Sequence, residues 1–272
     1  MNQNQIIEKL IRDIQLRGFS KDTEKDYSAI IRRFQEYFQK PANELGEPEI
    51  RKYLLYLAVD KKLSPSTVNS CNSALRFLYE VTLEKNLNYR RIPRMKDPII
   101  LPNVLNKDEV QAIFDVTDNL KHKCILTTIY GSGLRLSEAT TLKVSDIDSK
   151  NMRIFIEQAK GKKDRYVLLS QTNLDLLREY WKQFKPRHWL FEGMEKGSHI
   201  TKRGVQDIFK KYLQKSHITK KATVHTLRQT AATLMYKYGK VDIRSLQEIL
   251  GHESVATIED FDDALNSEIP YP

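Results

Sequence analysis

The sequence has few of the residues that cross-link proteins or span membranes, and each shortage excludes a class of protein. Its 272 residues include only two cysteines, Cys71 and Cys124, which form no Cys-x-x-Cys or Cys/His pattern. This argues against a disulfide framework and against a zinc site. No segment approaches the ~18 apolar residues of a membrane-spanning helix, and the polar start of the chain lacks the apolar core of a signal peptide. We therefore expect a protein of a reducing cytoplasm without a membrane partner.

Negative charge is also in short supply, and the resulting excess of positive charge points to polyanions. The chain has 45 Lys and Arg residues against 35 Asp and Glu residues, a formal net charge of +10. Such an excess favours nucleic acids as partners, although composition alone does not separate DNA from RNA, from an acidic membrane or from a merely soluble basic protein. A hydrophobic content of 40% is enough for packed cores, and the length allows one large domain or two ordinary ones.

Helical periodicity dominates the first part of the chain. Apolar and aromatic side chains recur three or four positions apart, and Ser64 precedes one such stretch as a candidate cap. The predicted helices are 27–38, 49–59 and 65–83. The third helix is expected to bury Val68, Leu75, Leu78 and Tyr79. We predict a small helical bundle for residues 1–90.

A basic, proline-containing stretch, residues 91–103, follows the bundle. Pro93, Pro98 and Pro102 block helices and central strands, which predicts a linker. Its basic residues, and the one just before it, are candidates for contacts with a phosphate backbone: Arg90, Arg91, Arg94 and Lys96. A solvated tether is the alternative explanation for each of them.

Residues 104–272 combine helices with a β-hairpin. Met152, Ile154 and Ile156 alternate with other residues, and a second short apolar run follows at 166–169. The predicted helices are 107–117, 122–130, 173–184, 201–214, 225–238, 243–250 and 255–265. The predicted fold is therefore mainly α with a small β-hairpin or sheet, an α+β protein.

Two arginine motifs carry candidate phosphate-binding chemistry. In GSGLRLSE, Arg135 precedes Glu138 by three positions, the spacing of an ion pair on one helix face. In HTLR, His225 and Arg228 share a face in the same way. A guanidinium group grips two phosphate oxygens at once, and imidazole transfers protons near neutral pH. Taken alone, each motif is more often an ordinary surface pair or a capping histidine.

Two further motifs place titratable groups in loops. Lys160 lies in the predicted hairpin turn, AKGKKDR, where an ammonium group could protonate a leaving oxygen. In LGHES, Gly251 is a good helix stop, and His252 could hydrogen-bond a phosphate oxygen. Basic residues in the hairpin turn and at the start of a later helix are further candidates for DNA contacts: Lys162, Lys163, Arg165, Lys202 and Arg203.

The four motifs in this order resemble the tyrosine recombinase family, which includes Xer-like recombinases and the phage-type integrases of mobile elements. The resemblance extends over nearly the whole chain, because FSKDTEKDY and LSPSTVNSCNSALRFLY are similar to the family's N-terminal segments. It implies a SAM-like, DNA-binding core-binding domain at residues 1–90 and a catalytic domain at 104–272, joined by the linker. Each motif is weak alone, whereas the ordered set is highly specific.

The resemblance also implies a role for each motif residue. The residues that it makes catalytic are Arg135, Lys160, His225, Arg228 and His252. The two arginines would bind the non-bridging oxygens of the scissile phosphate, with Glu138 in support, and the lysine would protonate the leaving 5′ oxygen. His225 would accept the nucleophile's proton, and the other histidine would help hold the phosphate. The family works through a 3′-phosphotyrosine intermediate and uses no metal, ATP or other cofactor.

The nucleophile's position in this pattern holds Phe261, a ring without the attacking hydroxyl. Three explanations stay open: a tyrosine replaced to stop cleavage, a natural relative that binds DNA without cutting it, and a displaced nucleophile such as Tyr271. A smaller departure is Gln229, where many relatives carry a histidine with a structural role. A water-using, RNase-like hydrolase is disfavoured because no second base is evident.

The resemblance implies double-stranded DNA as the partner. Two protomers would bind an inverted-repeat core site as a homodimer, and two dimers would pair into a homotetramer in synapsis. The two domains would clamp the duplex, and the cytoplasmic protein would be nucleoid-associated when bound. The short segment after Phe261 suggests reduced exchange of C-terminal segments between protomers, or a truncated chain.

Overall fold

The chain forms two compact units, Met1–Ile100 and Leu101–Pro272, in a computed structural model. The structure describes residues 1–88, 90–96, 104–157 and 164–239, and of residues 238 and 239 it describes the backbone alone. Each unit has a hydrophobic core of its own. Within these ranges, none of the helices combines the length and the apolar character needed to cross a membrane.

The described part of the first unit is helical. Its elements are α1 (Gln3–Leu16), α2 (Lys21–Phe38), α3 (Glu47–Leu55) and α4 (Pro65–Phe77), and α3 and α4 continue into π-helical turns at Tyr56–Asp60 and Leu78–Thr82. Asn2, Ser20 and Ser64 each accept a hydrogen bond from an amide in the first turn of the helix that follows. Such caps satisfy amides that have no partner within the helix. The predicted helical character of this region and the Ser64 cap are confirmed.

The core of this unit lies where the apolar stripes of its helices meet. Ile6, Leu10 and Ile14 of α1 are fully buried at the spacing of one helix face. The stripe predicted for the third helix is buried throughout: Val68, Leu75, Leu78 and Tyr79. The Tyr79 hydroxyl donates a 2.8 Å hydrogen bond to the carbonyl oxygen of Ala42, so its polar end is satisfied inside the core.

Residues 92–96, which we call the strap, lie along α4. The Asn69 amide donates from Nδ2 to the Met95 carbonyl oxygen (3.0 Å) and accepts the Met95 N–H at Oδ1 (2.9 Å). Ile92 is 1% exposed and belongs to the core of the unit. Further donors from α4 to carbonyl oxygens of the strap are Asn72 and Arg76. The backbone of the strap is therefore bound to the helical bundle.

The described part of the second unit combines helices with a small sheet. Its elements are α5 (Lys107–Asp115), α6 (Leu120–Gly131), α7 (Leu136–Thr140), β1 (Ile147–Asp148), β2 (Arg153–Ile156), β3 (Arg165–Leu168), α8 (Gln171–Phe184), α9 (Lys202–Lys215) and α10 (Val224–Gly239). The sheet is antiparallel in the order β1-β2-β3. The predicted hairpin is thus confirmed, with one additional strand, and so is the mainly helical fold with a small sheet.

Helix α6 runs through the core of the second unit and packs against α8 and α10. Its fully buried apolar residues are Cys124, Ile125, Leu126 and Ile129. Ile154 and Ile156, alternate residues of β2, turn into the same core. This packing holds the C-terminal end of α6 in place beside the start of α10. Two further predicted helices, 243–250 and 255–265, lie outside the described residues.

Candidate active site

The turn at the end of α6 positions Arg135, the first of the candidate site residues. The amide of Leu134 donates to the Ile129 carbonyl oxygen (3.1 Å) and that of Gly133 to the Tyr130 carbonyl oxygen (3.4 Å), the two bonds of a Schellman motif. Gly133 takes the left-handed conformation that this motif requires, with φ +60°. Leu134, the next residue, is buried, and Arg135 after it is the N-cap residue of α7.

Glu138 lies one turn into α7 and binds Arg135 twice. The Arg135 backbone N–H donates to Oε2 (2.8 Å), and its Nη1 donates to Oε1 (2.9 Å). The predicted pair is therefore confirmed. The Glu138 side chain, however, is only 7% exposed and that of Arg135 only 22%, so an ordinary surface ion pair is excluded.

Arg165 approaches the same carboxylate from the sheet. It is the first residue of β3, paired with Ile156 of β2. Its Nη1 donates to Oε1 of Glu138 (2.9 Å) and its Nη2 to Oε2 (2.8 Å), a side-on arrangement with two parallel hydrogen bonds. The sequence placed Arg165 among candidate DNA contacts and missed this pairing, because the two residues lie 27 positions apart.

Arg228 brings a third guanidinium group from α10. Its Nη1 donates to the carbonyl oxygen of Gly133 (2.7 Å) and lies 3.8 Å from Oε2 of Glu138. Burial lowers the pKa of Arg228 to about 10, the positive charge of Arg135 acts in the same direction, and the negative charge of Glu138 opposes them. The group therefore stays charged at neutral pH. We call Arg135, Arg165 and Arg228, gathered around Glu138, the arginine cluster.

The charge of Glu138 is stabilised by this cluster. Burial alone would raise the pKa of the carboxyl group, but the hydrogen bonds from Arg165 and Arg135 outweigh it and lower the pKa to about 2. At neutral pH one carboxylate thus faces three guanidinium groups. Guanidinium groups gathered in this way suit an anionic ligand such as a phosphodiester.

His225 stands at the edge of the cluster. It is the second residue of α10, whose first turn is closed by the Thr223 hydroxyl accepting the Thr226 amide (3.3 Å). Partial burial lowers the pKa of His225, and the charges of Arg228 and Arg135 lower it further. The side chain still reaches solvent. At neutral pH the imidazole is therefore mainly uncharged and can accept a proton.

The remaining predicted site residues fall into two groups, those that the structure does not describe and those that lie elsewhere in the chain. Those that lie outside the described residues are Lys160, Lys162, Lys163, His252, Phe261 and Tyr271. Arg90, Arg91, Arg94 and Lys96 belong to the first unit, whereas Lys202 and Arg203 open α9 on the surface of the second. No group of three or more His, Cys, Asp or Glu side chains in the described ranges could hold a metal ion.

Comparison with known proteins identifies the family. Residues 103–266 match the model of the phage integrase family, and residues 6–89 match that of the phage integrase N-terminal SAM-like domain. The chain therefore belongs to the phage integrase family, the tyrosine recombinases, and the resemblance seen in its motifs is confirmed.

Two relatives extend the likeness over most of the chain. The Sinorhizobium fredii protein named "Putative integrase/recombinase y4qK" is 41% identical over 251 residues, which cover 92% of this chain and 81% of the relative. Tyrosine recombinase XerA of Pyrococcus horikoshii is 32% identical over 259 residues, which cover 93% of this chain and 87% of the relative.

Solved structures share the fold. A lambda integrase dimer bound to a core site matches with a TM-score of 0.77 at 16% identity, covering 100% of this chain and 80% of that chain. XerH site-specific recombinase bound to its difH substrate, in a pre-cleavage complex, matches with a TM-score of 0.73 at 22% identity, covering 98% of this chain and 83% of that chain. At these identities the likeness shows the fold alone.

Proposed function

We propose that this chain is a site-specific DNA recombinase or integrase in which Phe261 occupies the nucleophile's place, so that it binds its DNA site without cutting it. The observation that carries the proposal is the arginine cluster, in which Glu138 gathers the guanidinium groups of Arg135 and Arg228 beside His225. A buried set of fixed positive charges next to a neutral imidazole suits attack on a phosphodiester by a hydroxyl group.

The roles follow from the charges. Arg135 and Arg228 would hold the non-bridging oxygens and stabilise the charge that develops on them. In the tyrosine form, His225 would accept the phenol proton, which is needed because the reference pKa of tyrosine is near 10. Lys160 would protonate the leaving 5′ oxygen and His252 would help hold the phosphate. The products would be a 3′-phosphotyrosine and a free 5′-hydroxyl, which a partner strand's hydroxyl attacks in reverse.

The partner would be duplex DNA with an inverted-repeat core site. The relatives support this, since the lambda integrase structure is a dimer on a core site and the XerH structure is a complex with difH. We propose a homodimer on one site and a homotetramer in synapsis, acting in the cytoplasm. Residues 1–90 would be the core-binding domain, 91–103 the linker and 104–272 the catalytic domain. The exposed Lys202 and Arg203 would contact the backbone.

A suicide-substrate assay tests the proposal. The site is first selected from random duplexes by binding to this chain, and a nicked version is then offered to the chain and to Phe261→Tyr. A covalent protein–DNA band on a denaturing gel is expected in the tyrosine form alone. Phe261→Tyr combined with Arg135→Gln is the matched control and should lose the band while still binding DNA.

The assay also separates the remaining explanations. A band from the unaltered chain that disappears on Tyr271→Phe would make Tyr271 the nucleophile and contradict the role given to position 261. A second candidate function, favoured by Phe261 itself, is that of a natural DNA-binding or architectural relative that has no strand-cleavage activity of its own. It would be supported if Phe261→Tyr bound the selected site normally and never formed the covalent product.

A further inference from the structure

The carboxylate of Glu138 is shared equally between two arginines. Each of its oxygens accepts one hydrogen bond from Arg135 and one from Arg165, at 2.8 or 2.9 Å. These four bonds match the roughly four lone-pair directions of an ionised carboxylate. Arg165 therefore supplies half of the donors that hold Glu138, and it does so with both terminal nitrogens of its guanidinium group.

The shared carboxylate joins three elements of the second unit. Arg135 lies at the start of α7, Arg165 at the start of β3 and Arg228 on α10. Arg165, which belongs to the sheet, donates a hydrogen bond to each oxygen of Glu138 and so fixes the orientation of the carboxylate. The orientation of the carboxylate in turn sets where Nη1 of Arg135 lies.

We propose that Arg165 is a positioning residue of this active site: its side-on pair with Glu138 fixes the carboxylate that orients Arg135 and faces Arg228. The inference rests on the proposed function, since it assigns Arg165 an effect on catalysis rather than a contact with DNA. Misplacing a catalytic group by about 1 Å costs on the order of 100-fold in rate. Loss of Arg165 should thus slow cleavage while leaving the protein's hold on DNA intact.

The arrangement also predicts a change in pH dependence. The charged groups facing Glu138 are Arg135 from α7, Arg165 from β3 and Arg228 from α10, with His225 beside the last of these. Burial raises the pKa of the Glu138 carboxyl group, and the hydrogen bonds from arginine lower it. Without Arg165 fewer such bonds remain, so this pKa rises. The carboxyl then takes up a proton at a higher pH and no longer balances the two remaining arginines. Because His225 is protonated first as the pH falls, this effect is measured with His225→Gln in both proteins. In that background, activity should fail at a less acidic pH without Arg165 than with it.

The test uses Phe261→Tyr as the parent and the selected nicked duplex as substrate. Arg165→Gln, Arg165→Lys and Arg153→Gln are compared with it for DNA affinity, for the single-turnover rate of covalent-complex formation and for the pH dependence of that rate. Arg153 is the matched control, because it lies on the neighbouring strand and forms its 2.9 Å ion pair with Asp148 instead. A second set carries Glu138→Gln in addition.

Arg165→Gln is expected to keep its affinity within about twofold and to lose roughly 100-fold in rate. In the His225→Gln background, its acid limb should lie at higher pH. Arg165→Lys should restore part of the rate and move the limb back, and Arg153→Gln should behave as the parent. In the Glu138→Gln background, Arg165→Gln should add little and shift no limb, because the two residues act as a unit.

Three outcomes would overturn the inference while leaving the proposed function in place. A weaker affinity that accounts for the whole effect would make Arg165 a DNA contact, and an unshifted acid limb would leave it a merely structural residue. Equal losses in Arg165→Gln and Arg153→Gln would point to general damage to the sheet. Failure of the parent itself to form covalent product would instead overturn the proposed function, and this inference with it.

Discussion

The buried carboxylate of Glu138 determines how three guanidinium groups share one small volume of the second unit. Burying a charged group is costly unless it is paired and hydrogen-bonded. Here Arg165 and Arg135 fill the acceptor positions of the carboxylate, and Arg228 lies 3.8 Å away with its own bond to a backbone oxygen. The positive charges are thereby held close together although they repel one another. Two guanidinium groups must lie this close if both are to hydrogen-bond the oxygens of one phosphate.

A testable prediction for a single residue concerns His225 and the pH dependence of the cleavage rate. In Phe261→Tyr, the rate of covalent-complex formation should rise with pH through a value below 6.5, because the imidazole must be uncharged to accept the phenol proton and its pKa is lowered. His225→Gln, which cannot titrate, should be slower and lose this dependence between about pH 5 and 7. The measurement is the single-turnover rate across that range. An identical profile in both proteins would show that another group is responsible.

At the scale of elements, the site depends on how one helix ends and the next begins. The Schellman motif after α6 turns the chain so that Gly133 offers its carbonyl oxygen to Arg228 while Arg135 opens α7. The motif needs a left-handed residue at only one of the two glycines. The two glycines of GSGLRLSE should therefore respond to substitution in opposite ways.

Gly133→Ala should lower the free energy of unfolding by about 1 kcal/mol, because alanine is strained at φ +60°. It should also slow cleavage by the tyrosine form, since relief of the strain at residue 133 would displace the carbonyl oxygen that anchors Arg228. Gly131→Ala should stabilise the protein by a few tenths of a kcal/mol, because alanine is the better helix former. Among the residues that the structure describes, its Cβ would meet only Ser170 Oγ, at 4.0 Å. Urea unfolding of both variants checks this, and similar effects at the two positions would contradict it.

The strap is the second feature at this scale. Asn69 is 3% exposed and satisfies both the N–H and the carbonyl oxygen of Met95. Asn69→Ala should destabilise the first unit by about 1–3 kcal/mol, because it leaves backbone groups without partners. Hydrogen exchange at the Met95 amide should accelerate in the same variant. Ser70→Ala, on the exposed side of α4, is the control, and unchanged exchange in Asn69→Ala would show that the bond does not hold the strap.

For the whole molecule, the excess of basic residues should appear as salt-dependent binding. A protein that contacts about six phosphates loses roughly 1000-fold in affinity between 50 and 200 mM salt, since counterions are released on binding. We expect a dependence of this size for the selected duplex, measured by fluorescence anisotropy. Arg203→Gln should reduce the logarithmic slope by about one.

The matched control for this prediction is Asp207→Asn. Arg203 forms an exposed 3.2 Å ion pair with Asp207, so the control breaks the same pair but keeps the cation. It should leave the slope unchanged or increase it. A slope near zero for the unaltered chain would contradict a phosphate-backbone partner.

Much of this architecture could be read from the sequence because it depends on short-range interactions. Helical periodicity, the Ser64 cap and the alternation of Ile154 and Ile156 all act over a few residues, and each was predicted and found. The ion pair of Arg135 with Glu138 belongs to the same group, since residues three apart on a helix are neighbours whatever the rest of the chain does.

The tertiary structure alone decided what surrounds that pair. Arg165 reaches Glu138 across 27 residues and Arg228 reaches Gly133 across 95, and no spacing in the sequence signals either contact. No sequence pattern predicts the contacts between the strap and α4 either, because these hydrogen bonds join side chains to backbone groups that every residue possesses. A sequence pattern records which groups are present, whereas burial and long-range pairing depend on the path of the chain, and these determine the pKa of Glu138 and the placement of its arginines.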